Sequence, residues 1–158
     1  MPEVVTKAVE MANLSPLIEE VLHSGGTVEL TVTGNSMWPM LHHQVSRVRL
    51  APVAELKKGD LPLYRRQNGA YVLHRILAVE VDGSYTCCGD NQWHLERGLQ
   101  RAQMLAVVTE FNRKGERWVS GNDRLYRLYT QFWMAARPVR RLIFGGLRRL
   151  KRKLTVDS

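Results

Sequence analysis

Between Thr27 and Val119 the chain is cut into short apolar and β-branched runs by turn signals at close spacing, which leaves little freedom in fold class. Thr27 to Thr33 alternates Val28, Leu30 and Val32 with polar residues, the period of a half-buried strand, and Val45 to Leu50 alternates again. Leu56-Lys57-Lys58-Gly59-Asp60 turns the chain into Leu61 to Tyr64, where Pro62, unable to donate to a ladder, predicts an edge strand or one that starts after it. Gln67-Asn68-Gly69 then makes a hairpin with Ala70 to Val81. Asp82-Gly83 precedes a strand over Ser84 to Cys88, and Lys114-Gly115 turns Met104 to Asn112 into Arg117 to Val119. The pattern predicts a mainly β domain, a small and partly closed sheet structure over 27–120. Ahead of it, in 1–26, Ser15-Pro16 opens a short helix with Leu17, Ile18, Val21 and Leu22, ended by Gly25-Gly26.

Cys87 and Cys88 are neighbours, and a bridge between adjacent residues is strained, so a disulfide-stapled secreted domain is not indicated. Met1 to Asn13 carries acids and no apolar stretch of signal-peptide length, and no run approaches the roughly eighteen apolar residues of a membrane span. A cytoplasmic location is the expectation.

Chemistry concentrates at three points. Ser36 follows Gly34-Asn35 just beyond a predicted strand end, His74 stands inside the apolar run Tyr71 to Leu77, and Asp90 lies in the turn Gly89-Asp90-Asn91. A serine hydroxyl needs a positioned base, a histidine among strand neighbours is held rigidly enough to be one, and a carboxylate can fix its tautomer. Ser36 as nucleophile, His74 as base and Asp90 as orienter therefore form a candidate triad, with Asp60 as a structural acid. Gly34, Asn35 and Met37 are expected on the oxyanion side of the cleft, where turn amides can meet a developing negative charge. His42-His43 lacks a cysteine or carboxylate at ligand spacing, so neither a metal nor a cofactor is expected.

The segment Val32 to Leu41, containing Ser36-Met37-Trp38-Pro39, resembles the nucleophile box of the signal peptidase I superfamily, which includes the LexA-type self-cleaving repressors. Lys58-Gly59-Asp60-Leu61, Val72-Leu73-His74-Arg75-Ile76 and Gly89-Asp90-Asn91 are similar to its later boxes, and the resemblance covers roughly 27–119. It implies a compact peptidase domain of coiled sheets. Histidine at the base position, His74, implies the Ser-His-Asp branch found in endoplasmic-reticulum and archaeal signal peptidases. It also implies a peptide or protein substrate. The chain departs from the signal peptidases in carrying Gly34 where they usually place a serine, and in showing no N-terminal membrane helix. The Ala-Gly self-cleavage dipeptide and the helix-turn-helix of the repressors are absent as well. These departures shift the expected substrate to a leader or precursor peptide at the cytoplasmic membrane face. The alternative is a non-catalytic peptide-binding or nucleic-acid-associated regulatory protein that retains the fold.

Charge divides the chain sharply. Ten of the 23 Lys/Arg residues and one of the 15 acids fall in 121–153, a local charge of +9 in a chain of total +8. Leu128, Tyr129, Phe132 and Trp133, then Val139, Leu142, Ile143 and Leu147, recur at helical spacing among arginines, predicting two basic amphipathic helices over 121–158. Such helices suit an anionic membrane surface, with Trp133 and Phe144 as anchors and Arg140, Arg141, Arg148 and Arg149 facing the lipid headgroups. Packing of these faces on the β domain is the alternative, and nucleic acid is the least favoured partner.

Overall fold

A computed structural model describes residues 5–6, 16–115 and 117–143. The chain is mainly β, with a curled, largely antiparallel sheet and three short helices. Strands β1 (Val5–Thr6), β2 (Val28–Thr31), β3 (Arg47–Pro52), β4 (Pro62–Arg65), β5 (Tyr71–Leu73), β9 (Met104–Asn112) and β10 (Val119–Ser120) form one sheet. Its order is β1-β2-β3-β9-β4-β5, and β10 also pairs with β9. Strands β6 (Arg75–Val79), β7 (Tyr85–Cys88) and β8 (Glu96–Leu99) form a second, smaller sheet.

Helix α1 (Pro16–His23) lies where the sequence predicts, although Ser15, its expected cap, falls outside the described residues. It buries Ile18 and Leu22, one helical turn apart, against the large sheet. There they meet Val28, Leu30, Val48, Leu50 and Leu63 in the main core. A smaller core of Leu56, Tyr64, Ile76, Tyr85, Cys87, Leu99 and Met104 packs between the two sheets. Because most of these side chains are almost wholly withdrawn from water, truncating Leu50 to alanine should cost about 2–5 kcal/mol.

Three departures from the predicted layout position the site. Pro62 is not on an edge strand: β4 runs between β9 and β5. The sheet tolerates it because Pro62 is the first residue of β4 and pairs only with Val107, the β5 pairing beginning at Leu63↔Leu73. Second, the predicted arm Ala70 to Val81 is two strands. Leu73 ends β5 in the large sheet, Arg75 begins β6 in the small one, and His74 is the single residue between them. Third, β8 has no counterpart in the sequence reading; it pairs Glu96 with Cys87 and Leu99 with Tyr85.

Helix α2 (Arg124–Ala135) begins on Asp123, whose side chain accepts from the Tyr126 amide, and helical backbone resumes over 137–143.

Candidate functional site

Ser36 opens a turn that leaves β2, and Gly34 takes a φ of 82°, a conformation L-residues rarely adopt. The Gly34 amide donates to His43 Nδ1 at 2.8 Å, so His43 serves as the acceptor that closes this loop. Met37, expected on the cleft, is instead in the main core, 2 % exposed, with its carbonyl accepting from Leu41. A thioether finds its best environment there, beneath the turn rather than beside the serine. Asn35 is exposed, and its carbonyl accepts from the Trp38 amide and from the Asn91 side chain.

The turn bearing Asp90 closes on the turn bearing Ser36. The Asn91 amide donates to the Ser36 carbonyl at 2.8 Å, and a Cβ on Gly89 would stand 2.6 Å from that oxygen and 3.1 Å from Ser36 Cβ. Only glycine permits this approach. In the small sheet the terminal pair is Arg75 with Cys88; His74 and Gly89 are the next residues along the two chains, and Gly89 abuts Ser36.

His74 is 2 % exposed, and the carboxylate on its ring is Glu96. Its Nδ1 lies 3.1 Å from Glu96 Oε1 and 3.1 Å from the Tyr64 hydroxyl. Tyr64 donates its one proton to Glu96 Oε1 at 2.9 Å, which leaves the imidazole to supply the proton between Nδ1 and Glu96. The neutral ring is thus fixed with Nδ1 protonated and Nε2 carrying the lone pair. Arg66 completes the cluster, donating through Nε to Glu96 Oε2 at 2.8 Å and through a second nitrogen to Oε1. Burial pushes the Glu96 carboxyl up, but hydrogen bonds from Arg66, His74 and Tyr64 outweigh it and hold the group well below the usual carboxylate range. Burial, and then the Glu96 charge, raise the Tyr64 phenol, so it remains a donor.

Asp90, the expected orienter, has another partner. Both its oxygens accept from Arg75, at 2.8 Å from Nε and 2.7 Å from Nη2, a buried bidentate pair. The Arg75 guanidinium is fully buried and uses its remaining capacity on the Gly59 carbonyl, the Tyr126 hydroxyl, Thr130 and the Met40 sulfur. A fully desolvated guanidinium requires such a carboxylate, which is why Asp90 turns to Arg75 and Glu96 is the acid at the imidazole. Asp60 accepts from the Lys57 amide at 2.9 Å within its own turn, and burial raises its carboxyl.

Two cysteines lie nearby and neither suits nucleophilic chemistry: burial pushes the Cys87 thiol up to about 12 and raises Cys88 as well. Among the described residues no group of three His, Cys, Asp or Glu side chains could hold a metal ion.

The tail departs most from its predicted orientation. Arg140, expected against lipid, reaches the β domain, and Trp133, expected beside it in lipid, packs between Tyr129 and Arg140. Arg140 lies 3.6 Å over the Trp133 ring and donates to the Asp90 carbonyl, while Trp133 stacks on Tyr129. Arg137 donates to the Trp93 carbonyl and to Cys88 Sγ. Tyr126, Thr130, Trp133, Arg137 and Arg140 recur at helical spacing, so the inward face is the aromatic and hydrogen-bonding one, matched to the carbonyls and the guanidinium below it. Arg141 is exposed; Phe144, Arg148 and Arg149 lie outside the described residues. No helix among the described residues is long and apolar enough to cross a membrane.

No protein family, curated protein or solved structure matches the chain. The functional reading therefore rests on the residues themselves. Sequence reasoning missed Glu96, Tyr64 and Arg66, yet one signal was legible: Glu96 is the only acid between Asp90 and Glu110.

Proposed function

We propose that the chain is a serine endopeptidase in which Ser36 is the nucleophile, His74 the general base and acid, and Glu96 the carboxylate that orients the imidazole. The observation that carries this reading is the buried contact of His74 Nδ1 with Glu96, which leaves Nε2 as the basic nitrogen, on a residue next to the strand pair that runs into the Gly89 turn packed on Ser36. The motif resemblance to the signal peptidase and LexA-type superfamily, carried by the same Ser36 and His74 segments, agrees with it and suggests the substrate class, a leader or precursor peptide.

In the proposed chemistry Ser36 Oγ attacks a peptide carbonyl while His74 Nε2 takes its proton. Collapse of the tetrahedral intermediate leaves Ser36 acylated and returns the proton to the departing amine. Water, deprotonated through the same nitrogen, then releases the acid product and restores Ser36. Glu96 stabilises the transient imidazolium without itself taking the proton, in keeping with its depressed carboxyl. The Ser36 amide is the oxyanion donor we assign; the Gly34 amide is already engaged by His43. Asp90, with Arg75, shapes the turn that meets Ser36.

The test is digestion of a peptide library that includes leader sequences, read by mass spectrometry, together with intact-mass detection of fluorophosphonate labelling. Cleavage by wild type that vanishes in Ser36→Ala and His74→Ala is the expected result. A library left as intact by wild type as by Ser36→Ala overturns the reading and favours a peptide-binding protein on the same scaffold.

A further inference from the structure

Among the described residues, the outward face of the C-terminal helices is apolar and uncovered. Leu125, Leu128, Phe132, Val139, Leu142 and Ile143 are each 55–77 % exposed; Leu125, Leu128 and Phe132 follow at three- and four-residue steps along α2, and Val139, Leu142 and Ile143 continue on the helical stretch after it. The stripe is the reverse side of the face that holds Tyr126, Thr130 and Arg140 against the β domain. Arg124 and Arg127 stand exposed beside it, and Arg141 is also exposed on the same helical stretch. The only acid in 121–143 is Asp123, whose carboxylate caps α2.

We propose that this stripe is a docking surface for an anionic lipid bilayer, with the helices lying in the plane of the interface. Charge and apolarity together select the occupant. A second copy of the chain, packed stripe to stripe about a two-fold axis, would bring arginine-flanked surfaces of the same sign together. A nucleic acid would engage the arginines and leave Leu125, Leu128 and Phe132 in water. A bilayer interface offers acyl chains to the apolar residues and phosphate to the arginines that border them. The residues that enter the interface are thus Leu125, Leu128, Phe132, Val139, Leu142 and Ile143, while Trp133 and Arg140 stay on the protein side. The opposite side of the helix contacts Arg75 and the Asp90 carbonyl, so one helix, about 10–12 Å across, separates the lipid from the turn that meets Ser36. The proposal stands whether or not Ser36 is a nucleophile.

Flotation of the full chain with phosphatidylcholine–phosphatidylserine vesicles, compared with phosphatidylcholine alone, tests it. Binding to the anionic vesicles is expected, reduced at least tenfold in the Leu128→Ser/Phe132→Ser double variant, with circular dichroism and melting unchanged because both side chains are exposed. Arg124→Gln/Arg127→Gln should lose the preference for anionic lipid while keeping the fold. Failure of wild type to float, or equal flotation by the Leu128→Ser/Phe132→Ser variant, overturns the proposal. So does a wild-type dimer in light scattering that this variant converts to monomer, or capture of a mixed-sequence DNA duplex in place of vesicles.

Discussion

Two carboxylates near His74 have different duties, and substitution separates them. Glu96→Gln keeps the size and a hydrogen-bond acceptor but removes the charge that, in the proposed mechanism, steadies the imidazolium, so under that proposal peptide cleavage should fall by about 10²–10⁴-fold while the fold persists. Asp90→Ala leaves the Arg75 guanidinium buried without its carboxylate, and urea denaturation should show a loss of about 3–5 kcal/mol. If instead Asp90→Asn abolished cleavage at unchanged stability and Glu96→Gln did not, the roles would be reversed. Acidification supplies a further check. The Glu96 carboxyl is depressed in the folded chain, so its contribution to stability is complete above its ordinary value of 4.5 and is lost as pH falls through the lower folded value. The stability gap between wild type and Glu96→Gln should therefore narrow as pH falls below about 4.5, measured by denaturation across that range. The turns at Ser36 and at Gly89-Asp90-Asn91 were legible in the sequence because glycine and asparagine mark them, whereas the place of His74 at a junction between two sheets was not. The pairing of acids with partners was not, since it depends on which charge is buried deepest, and burial of Arg75 is a product of the whole fold.

At the level of elements, close packing between turns is as demanding as side-chain chemistry. Gly89→Ala would drive a methyl into the Ser36 carbonyl, and backbone on both sides must shift; cleavage should drop while far-UV circular dichroism stays the same. The Asp123 cap makes a milder contribution: Asp123→Ala should lower stability by about 1 kcal/mol, read as a small decrease in melting temperature. Strands with alternating apolar residues, such as β2 and β3, and the β-branched run of β9 were readable from the chain, as was α1 with its paired Ile18 and Leu22. Strand β8 escaped because Glu96-Arg97-Gly98-Leu99 has no β-branched residue and is held in place by its pairing with β7. The division of Ala70 to Val81 escaped for the opposite reason. Both halves look like strand, and only the pairing of each with a different neighbour reveals two sheets. Helix α2 was foreseen as amphipathic, but its phase was not, because aromatic residues with hydrogen-bonding edges can serve a polar interface as well as an apolar one.

Across the whole molecule, the C-terminal helix is tied into the same polar network as the candidate site. Removing 121–158 would take the Tyr126 hydroxyl and Thr130 from Arg75 and the Arg140 donor from the Asp90 carbonyl. The truncated chain should thus be less stable by about 1–3 kcal/mol for each buried group left without its partner, a difference visible in chemical denaturation. The switch of sheets at His74 carries a different consequence, one about which sequence lengths the fold can accept. Side chains in a strand alternate faces, so one residue added between Leu73 and Arg75 would reverse every side chain of β6 and turn Ile76 out of the core. The exposed Gln67-Asn68 turn, by contrast, can lengthen at little cost. Related chains should therefore vary in length around that hairpin and keep an invariant count from Leu73 to Ile76.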